Sequence, residues 1–120
     1  MKPSADPMGS AIADYFRNGK AARLRVFSPD FDEDEIPVPD LFRTFNEMPP
    51  LEQLALRQAR GHVLDVGAGA GCHSLALQDM GIRTTAIDIS PLSVATMRQR
   101  GVMHVVEQDF WQMTGSFDTI

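Results

Sequence analysis

The second half of the chain predicts an α/β fold built on a parallel sheet. Short apolar runs at Val63–Val66, Thr84–Ile87 and Met103–Val106 alternate with helical patterns at Cys72–Met80 and Pro91–Arg100. Each helical pattern stops at a glycine, Gly81 or Gly101, as helices commonly do. Strand, helix, strand, helix, strand in that order implies right-handed crossovers between parallel neighbours, with helices packed on the sheet. The closing "SFDTI" starts a fourth strand.

The elements ahead of the sheet are read in order. Asp6-Pro7 is an N-cap followed by a first-turn proline. Behind it Ala11, Ile12, Tyr15 and Phe16 recur at helical spacing until Gly19. Arg23 to Ser28 alternates polar and apolar residues as a short strand does. "PDFDEDEIPVPD" mixes prolines with acids and is expected to be an exposed loop, with an extended piece at Ile36 to Val38. From Pro49 to Arg60 the pattern is helical, with Leu51, Leu54, Ala55 and Ala59 on one face and Gly61 at the end. Residues 1–48 therefore read as a mostly helical lid or cap, and residues 49–120 as the first half of a sheet domain.

Composition narrows the function. The chain has 120 residues, 43% of them hydrophobic, enough for one real core. A formal net charge of −5 argues against a broad nucleic-acid footprint. The lone cysteine, Cys72, excludes an intramolecular disulfide and fits a reducing cytoplasm. "MKPSADPMGS" lacks the apolar centre of a signal peptide, and no apolar run reaches the roughly 18 residues of a membrane span.

Three glycines at alternate positions, Gly67, Gly69 and Gly71, follow the first strand of the sheet in "VLDVGAGAGCHSLAL". Ligands of parallel sheets bind beyond the carboxyl ends of the strands, where a strand feeds a helix. Glycines there let a ligand touch the main chain, and the free N–H groups of the next helix offer hydrogen bonds. The dinucleotide pattern G-x-G-x-x-G would put its third glycine where Cys72 stands. Asp65, just ahead of the loop, suits an amino group or other cation better than a pyrophosphate. The alternative, a tight turn whose glycines serve packing alone, is disfavoured by the strand and helix on either side.

About twenty residues beyond the loop, Asp88 ends the second strand of the sheet, where a carboxylate can accept both hydroxyls of a ribose. Ser90 is the better placed helix cap, which leaves Asp88 for a ligand. In "EQDFWQ", Asp109 can accept from an exocyclic amine, and Ile89 and Phe110 can sandwich a flat base. Phe110 or Trp111 as ordinary core is an even alternative.

Taken together, these residues resemble the cofactor half of the class I S-adenosylmethionine-dependent methyltransferases, over roughly Val63 to Ile120. The resemblance implies a three-layer Rossmann-like fold, here truncated in its fourth strand, with S-adenosylmethionine as cofactor. It implies that Gly67, Ala68, Gly69 and Gly71 pass under the methionine and ribose portions, with Asp65 near the amino end. Asp88 would hold the ribose hydroxyls, Ile89 and Phe110 would flank the adenine, and Asp109 would meet its amino group. "LFRTFNEMPPLEQLAL" resembles the leading helix and lid of small-molecule methyltransferases, and the acceptor is expected to be a small molecule. The acceptor side, which normally begins near Asp118, is expected to be missing, so the chain alone is expected to bind cofactor weakly and not turn over. An open fourth strand would invite self-association.

Rival readings are an NAD-dependent oxidoreductase, an aminopropyl transferase on a similar sheet, and a non-catalytic module that pairs through its sheet edge. Cys72 and His73 invite a nucleophilic reading, but no acid is evident to orient them. His62, His73 and His104 lack metal-ligand spacing with the cysteine, so no metal is expected. Asp30, Asp32 and Asp34 imitate a calcium loop, but Glu35 and Leu41 stand where glycine and a bidentate glutamate are needed. Arg17, Lys20, Arg23 and Arg25 read as a solvated basic face. Tyr15, Phe16, Phe42, Phe45 and Met48 form either a lid over the donor methyl or the core that seats the N-terminal segment.

Overall fold

The computed structural model describes residues 1–120, the side chain of Pro3 excepted. Asp6 starts helix α1 (Pro7–Asn18) by accepting from the Gly9 N–H at 2.9 Å, and Gly19 closes it in a left-handed conformation. Strands β1 (Leu24–Ser28) and β2 (Phe31–Ile36) then form an antiparallel hairpin. The expected exposed loop over residues 29–40 is thus in large part a strand, and the N-terminal segment is less helical than expected. Cross-strand ion pairs, Arg23 with Glu35 and Arg25 with Glu33, give the acidic run its opposite charges and fix its register. Two residues of the basic face are therefore engaged within the chain. Asp30, Asp32 and Asp34 lie in the turn and strand of this hairpin, all exposed.

Helix α2 (Pro50–Gln58) leads into β3 (Val63–Val66), α3 (Cys72–Asp79), β4 (Thr84–Asp88), α4 (Pro91–Arg100) and β5 (Val105–Glu107). Strands β3, β4 and β5 are parallel neighbours in that order. The expected third strand of the sheet starts two residues later than the apolar run suggests. The closing segment meets the other side of β3 through a single parallel bridge, Val63 to Thr119, with Leu64 N–H donating to the Thr119 carbonyl at 2.9 Å. Spatial order is therefore Thr119, β3, β4, β5, and the strand order reverses between β3 and Thr119. Such a reversal is where sheets of this kind open a ligand crevice.

Helices α2, α3 and α4 pack on one face of the sheet. Val63 joins Leu56, Cys72, Ala76 and Leu77 in one cluster, while Ala86 joins Val94, Met97 and Leu75 in another. Leu64 and Ile87, on the alternate positions of their strands, are almost fully buried as well. Helix α2 turns differently from its expected face. Leu56 and Ala59 are buried, whereas Leu51 and Leu54 are 78% and 50% exposed. Only a narrow stripe of α2 meets α3, so the apolar positions flanking that stripe remain in solvent.

The N-terminal segment is seated by its aromatic residues. Tyr15 stacks on Phe42 at 4.8 Å beside Ala11, Leu24 and Val38, and Met48 is buried with Leu56 and Val63. Met48 is core, Tyr15, Phe42 and Phe45 pack half-buried against the core, and Phe16 is 41% exposed. Helix α1 is also tied to α4 end to end. Ser90 caps α4 by accepting from Ser93 N–H, and its hydroxyl donates to the buried Asp6 carboxylate that caps α1. Gly9 makes this possible, since a Cβ there would lie 2.2 Å from both Asp6 Oδ2 and Ser90 Oγ. Gly9→Ala is expected to lower the thermal midpoint by roughly 10 °C, from about 2 kcal/mol of overpacking. An unchanged midpoint in calorimetry would show that the junction tolerates the extra carbon.

Candidate functional site

The glycine loop does three different jobs. At Gly67 (φ 62°) nothing lies within 4 Å of where a side chain would begin, so its backbone is open to a ligand. Gly69 is covered: its N–H donates to Asp88 Oδ2 at 2.9 Å, and Ile12 of α1 approaches it. Gly71 (φ 80°) lets α3 begin against α4, because a Cβ would sit 2.9 Å from Met97 and Val102. Ala68 packs beside Ala86, Val94 and Met97. Two of the expected loop contacts, Ala68 and Gly71, thus also pack on α4, Ala68 half-buried and Gly71 buried.

Beyond the carboxyl ends of β3, β4 and β5 lies a cavity of about 180 Å³. Gly67, Asp88, Ile89, Asp109 and Phe110 all line it, together with Gln108. Ile89 is 56% exposed, an apolar side chain lining the cavity beside Asp88 and Asp109. Asp88 is the organising group. Besides Gly69, it accepts from Ser90 N–H through Oδ1 at 2.9 Å, and its carbonyl receives Gln108 N–H at 3.0 Å. An ionised carboxylate has about four lone-pair sites, so two bonds orient Asp88 and leave acceptor capacity toward the cavity. Asp109 caps the turn Phe110–Gln112 by accepting from Trp111 N–H at 3.0 Å, and this turn presents Phe110. Gln108 was not singled out in the sequence; its place one residue beyond β5 is the only signal for it.

Asp65 faces a neighbouring cavity of about 300 Å³, which it shares with His73, Val66 and Ile120. Ser74 Oγ donates to Asp65 Oδ2 at 2.7 Å. Burial pushes the Asp65 carboxyl above its ordinary range, against the Ser74 bond and the charge of His73. His73 in turn has Glu52 Oε1 2.9 Å from Nε2 and Cys72 Sγ 3.9 Å from Nδ1. The sequence showed no acid for the Cys72–His73 pair; α2 supplies Glu52 from twenty-one residues away.

The geometry meets its counterpart among known proteins. Residues 63–120 match the model of a methyltransferase domain. The chain is also similar to a solved structure, a SAM-dependent methyltransferase from Bacteroides fragilis in complex with S-adenosyl-L-homocysteine. Sequence identity is 58% and the TM-score 0.82, over 89% of this chain and 44% of that one. The matched part, residues 63–120, is a methyltransferase domain of the class I S-adenosylmethionine-dependent kind. The chain spans less than half the length of the Bacteroides fragilis enzyme. No curated protein matches the chain.

Within this methyltransferase domain, the cavity at Gly67, Asp88 and Phe110 occupies the ligand end of the sheet. Trp111 is 87% exposed and packs edge-on against Phe110, so it is neither core nor part of the cavity lining. Asp118 serves the backbone, accepting from His62 N–H at 2.8 Å. Among the described residues no helix is long and apolar enough to cross a membrane.

The His73 network gives the domain a pH signature. The Cys72 sulfur, then the Glu52 and Asp65 carboxylates, favour the imidazolium against burial and raise its pKa to about 9. A folded value above the unfolded 6.5 stabilises the domain fully below pH 6.5, and that stability is lost as pH rises through 9. The thermal midpoint is expected to fall between pH 6.5 and 9.5, and to fall less in His73→Gln. Equal pH dependence in both proteins would remove His73 as its source.

Proposed function

We propose that the chain binds S-adenosylmethionine beside the glycine loop and serves methyl transfer to a small-molecule acceptor. One observation carries the reading. Gly67, the adjacent Asp88 and Ile89, and Phe110, three stretches far apart in sequence, converge on a single cavity at the carboxyl ends of three parallel strands. The bound Bacteroides fragilis structure supports the same ligand class.

Each residue then has a task. Ile89 and Phe110 flank the adenine with apolar surface, and Asp109 accepts from its amino group. Asp88, held in direction by Gly69 and Ser90, accepts from the ribose hydroxyls. Open backbone at Gly67 lets the sugar and the methionine chain lie against the main chain. Asp65 attracts the ammonium end, which gives its buried carboxylate a counter-charge. The donor supplies an already electrophilic sulfonium methyl, so the protein's share is alignment and exclusion of water. An acidic chain with one cysteine supports a cytoplasmic enzyme with no nucleic-acid partner. We infer that these 120 residues bind the donor and do not complete the transfer alone, since they span 44% of the similar enzyme.

Thermal unfolding with S-adenosylhomocysteine tests the reading. At about 100 times the dissociation constant, stabilisation of about 2.7 kcal/mol is expected, a rise of roughly 10 °C or more. NAD+ in the same range should leave the midpoint unchanged. A rise with NAD+ alone would replace the methyltransferase reading by the oxidoreductase one, and release of labelled methyl to an acceptor would overturn the inactivity.

A further inference from the structure

A cavity of about 530 Å³ shares no residue with the proposed donor cavity. It runs along one side of α3, between the segment 43–46 and the end of α4. Arg43, Thr44, Asn46, Cys72, Asp79 and Arg100 supply its polar lining.

Arg100 is the unusual member. It is half-buried, its guanidinium stacks over Phe42 at 4.6 Å, and Nη1 donates to the Ala70 carbonyl. Arg23, Arg25 and Arg43 each meet a carboxylate, yet among the described residues none lies within ion-pair distance of Arg100. A guanidinium drawn from water without a counter-ion is costly, and burial lowers its pKa accordingly. Arg43 lines the same cavity and is held in place, Nε on the Asp40 carbonyl at 2.7 Å and Nη2 on Glu52. Two guanidinium groups fixed by other contacts are preorganised donors for an oxyanion. Asp79, about 10 Å along α3 from Cys72, sets the polarity of the groove. It disfavours negative charge at its own end and leaves the Cys72–Arg100 end for it.

We propose that this groove is a second binding site, for a ligand whose phosphate or carboxylate group lies between Arg43 and Arg100. The ligand's charge sits at one end, and its less polar body lies along Leu75 and Ala76. The site is independent of the donor cavity and stands or falls separately from the methyltransferase reading.

Amide-resolved NMR of the full chain at constant ionic strength tests it, with inorganic phosphate in one arm and succinate in the other. Saturable shifts are expected over residues 43–46 and 72–80, and the anion that saturates at lower concentration identifies the group recognised. Arg100→Gln should weaken that binding roughly tenfold, the worth of a charge-assisted contact. Asn46→Asp, at an exposed position, places a negative charge in the lining without disturbing the core and should weaken it too. Absence of saturation with both anions, or equal affinity in both variants, would overturn the proposal. So would shifts centred on Gly67 and Ile89, which would assign the anion to the donor cavity.

Discussion

Asp88→Ala is expected to weaken S-adenosylhomocysteine binding by on the order of 10²-fold, about 3 kcal/mol for two hydrogen bonds to a charged acceptor. The residue acts twice. It faces the cavity, and it holds the loop by accepting from Gly69 and Ser90. Removing it leaves two N–H groups without their partner, so part of the loss comes from a loosened loop. Asp88→Asn separates the contributions, because its amide oxygen can still accept from one N–H while the charge is gone. Calorimetry should rank wild type above Asn, and Asn above Ala. If Ala binds as tightly as wild type, the ribose is not held at Asp88.

Gly71→Ala is expected to be the most damaging change of a single carbon in the loop, at about 3 kcal/mol and a melting point lower by roughly 15 °C. Two costs combine there. A φ of 80° is strained for any residue with a side chain, and the new carbon would meet Met97 and Val102 at 2.9 Å. Gly67→Ala provides the contrast, with a comparable φ of 62° but open space around it. It should lose less stability and more ligand affinity, because its carbon enters the ligand's path. Equal loss of stability in both would mean that backbone strain, not packing against α4, sets the cost at Gly71.

The sheet was legible because its markers are local. Strand ends, N-caps and stopping glycines each act within a few residues, and Ser90 caps α4 where its position alone placed it. The convergence of Gly67, Asp88, Ile89, Asp109 and Phe110 on one cavity was legible for the same reason, since a parallel sheet puts the residues just past each strand end on one side. Features that depend on partners distant in sequence were not. Strand β2 looks like an acidic loop until Arg25 is set opposite Glu35 and Arg23, twelve residues from it, reaches the same carboxylate. That Gly71 and Ala68 also pack against α4 shows only once α4 is placed against them. The face of α2 depends on α3, and Glu52 reaches His73 only through that packing.

The central claim is that the residues at the ends of β3, β4 and β5 form one donor site. Amide-resolved NMR titration with S-adenosylhomocysteine tests it most directly. Saturable shifts at Gly67, Asp88, Ile89, Asp109 and Phe110, with residues 43–46 and the β1–β2 hairpin unmoved, are the predicted result. A dispersed, folded spectrum that does not change on addition, or one that changes only away from those residues, would contradict it.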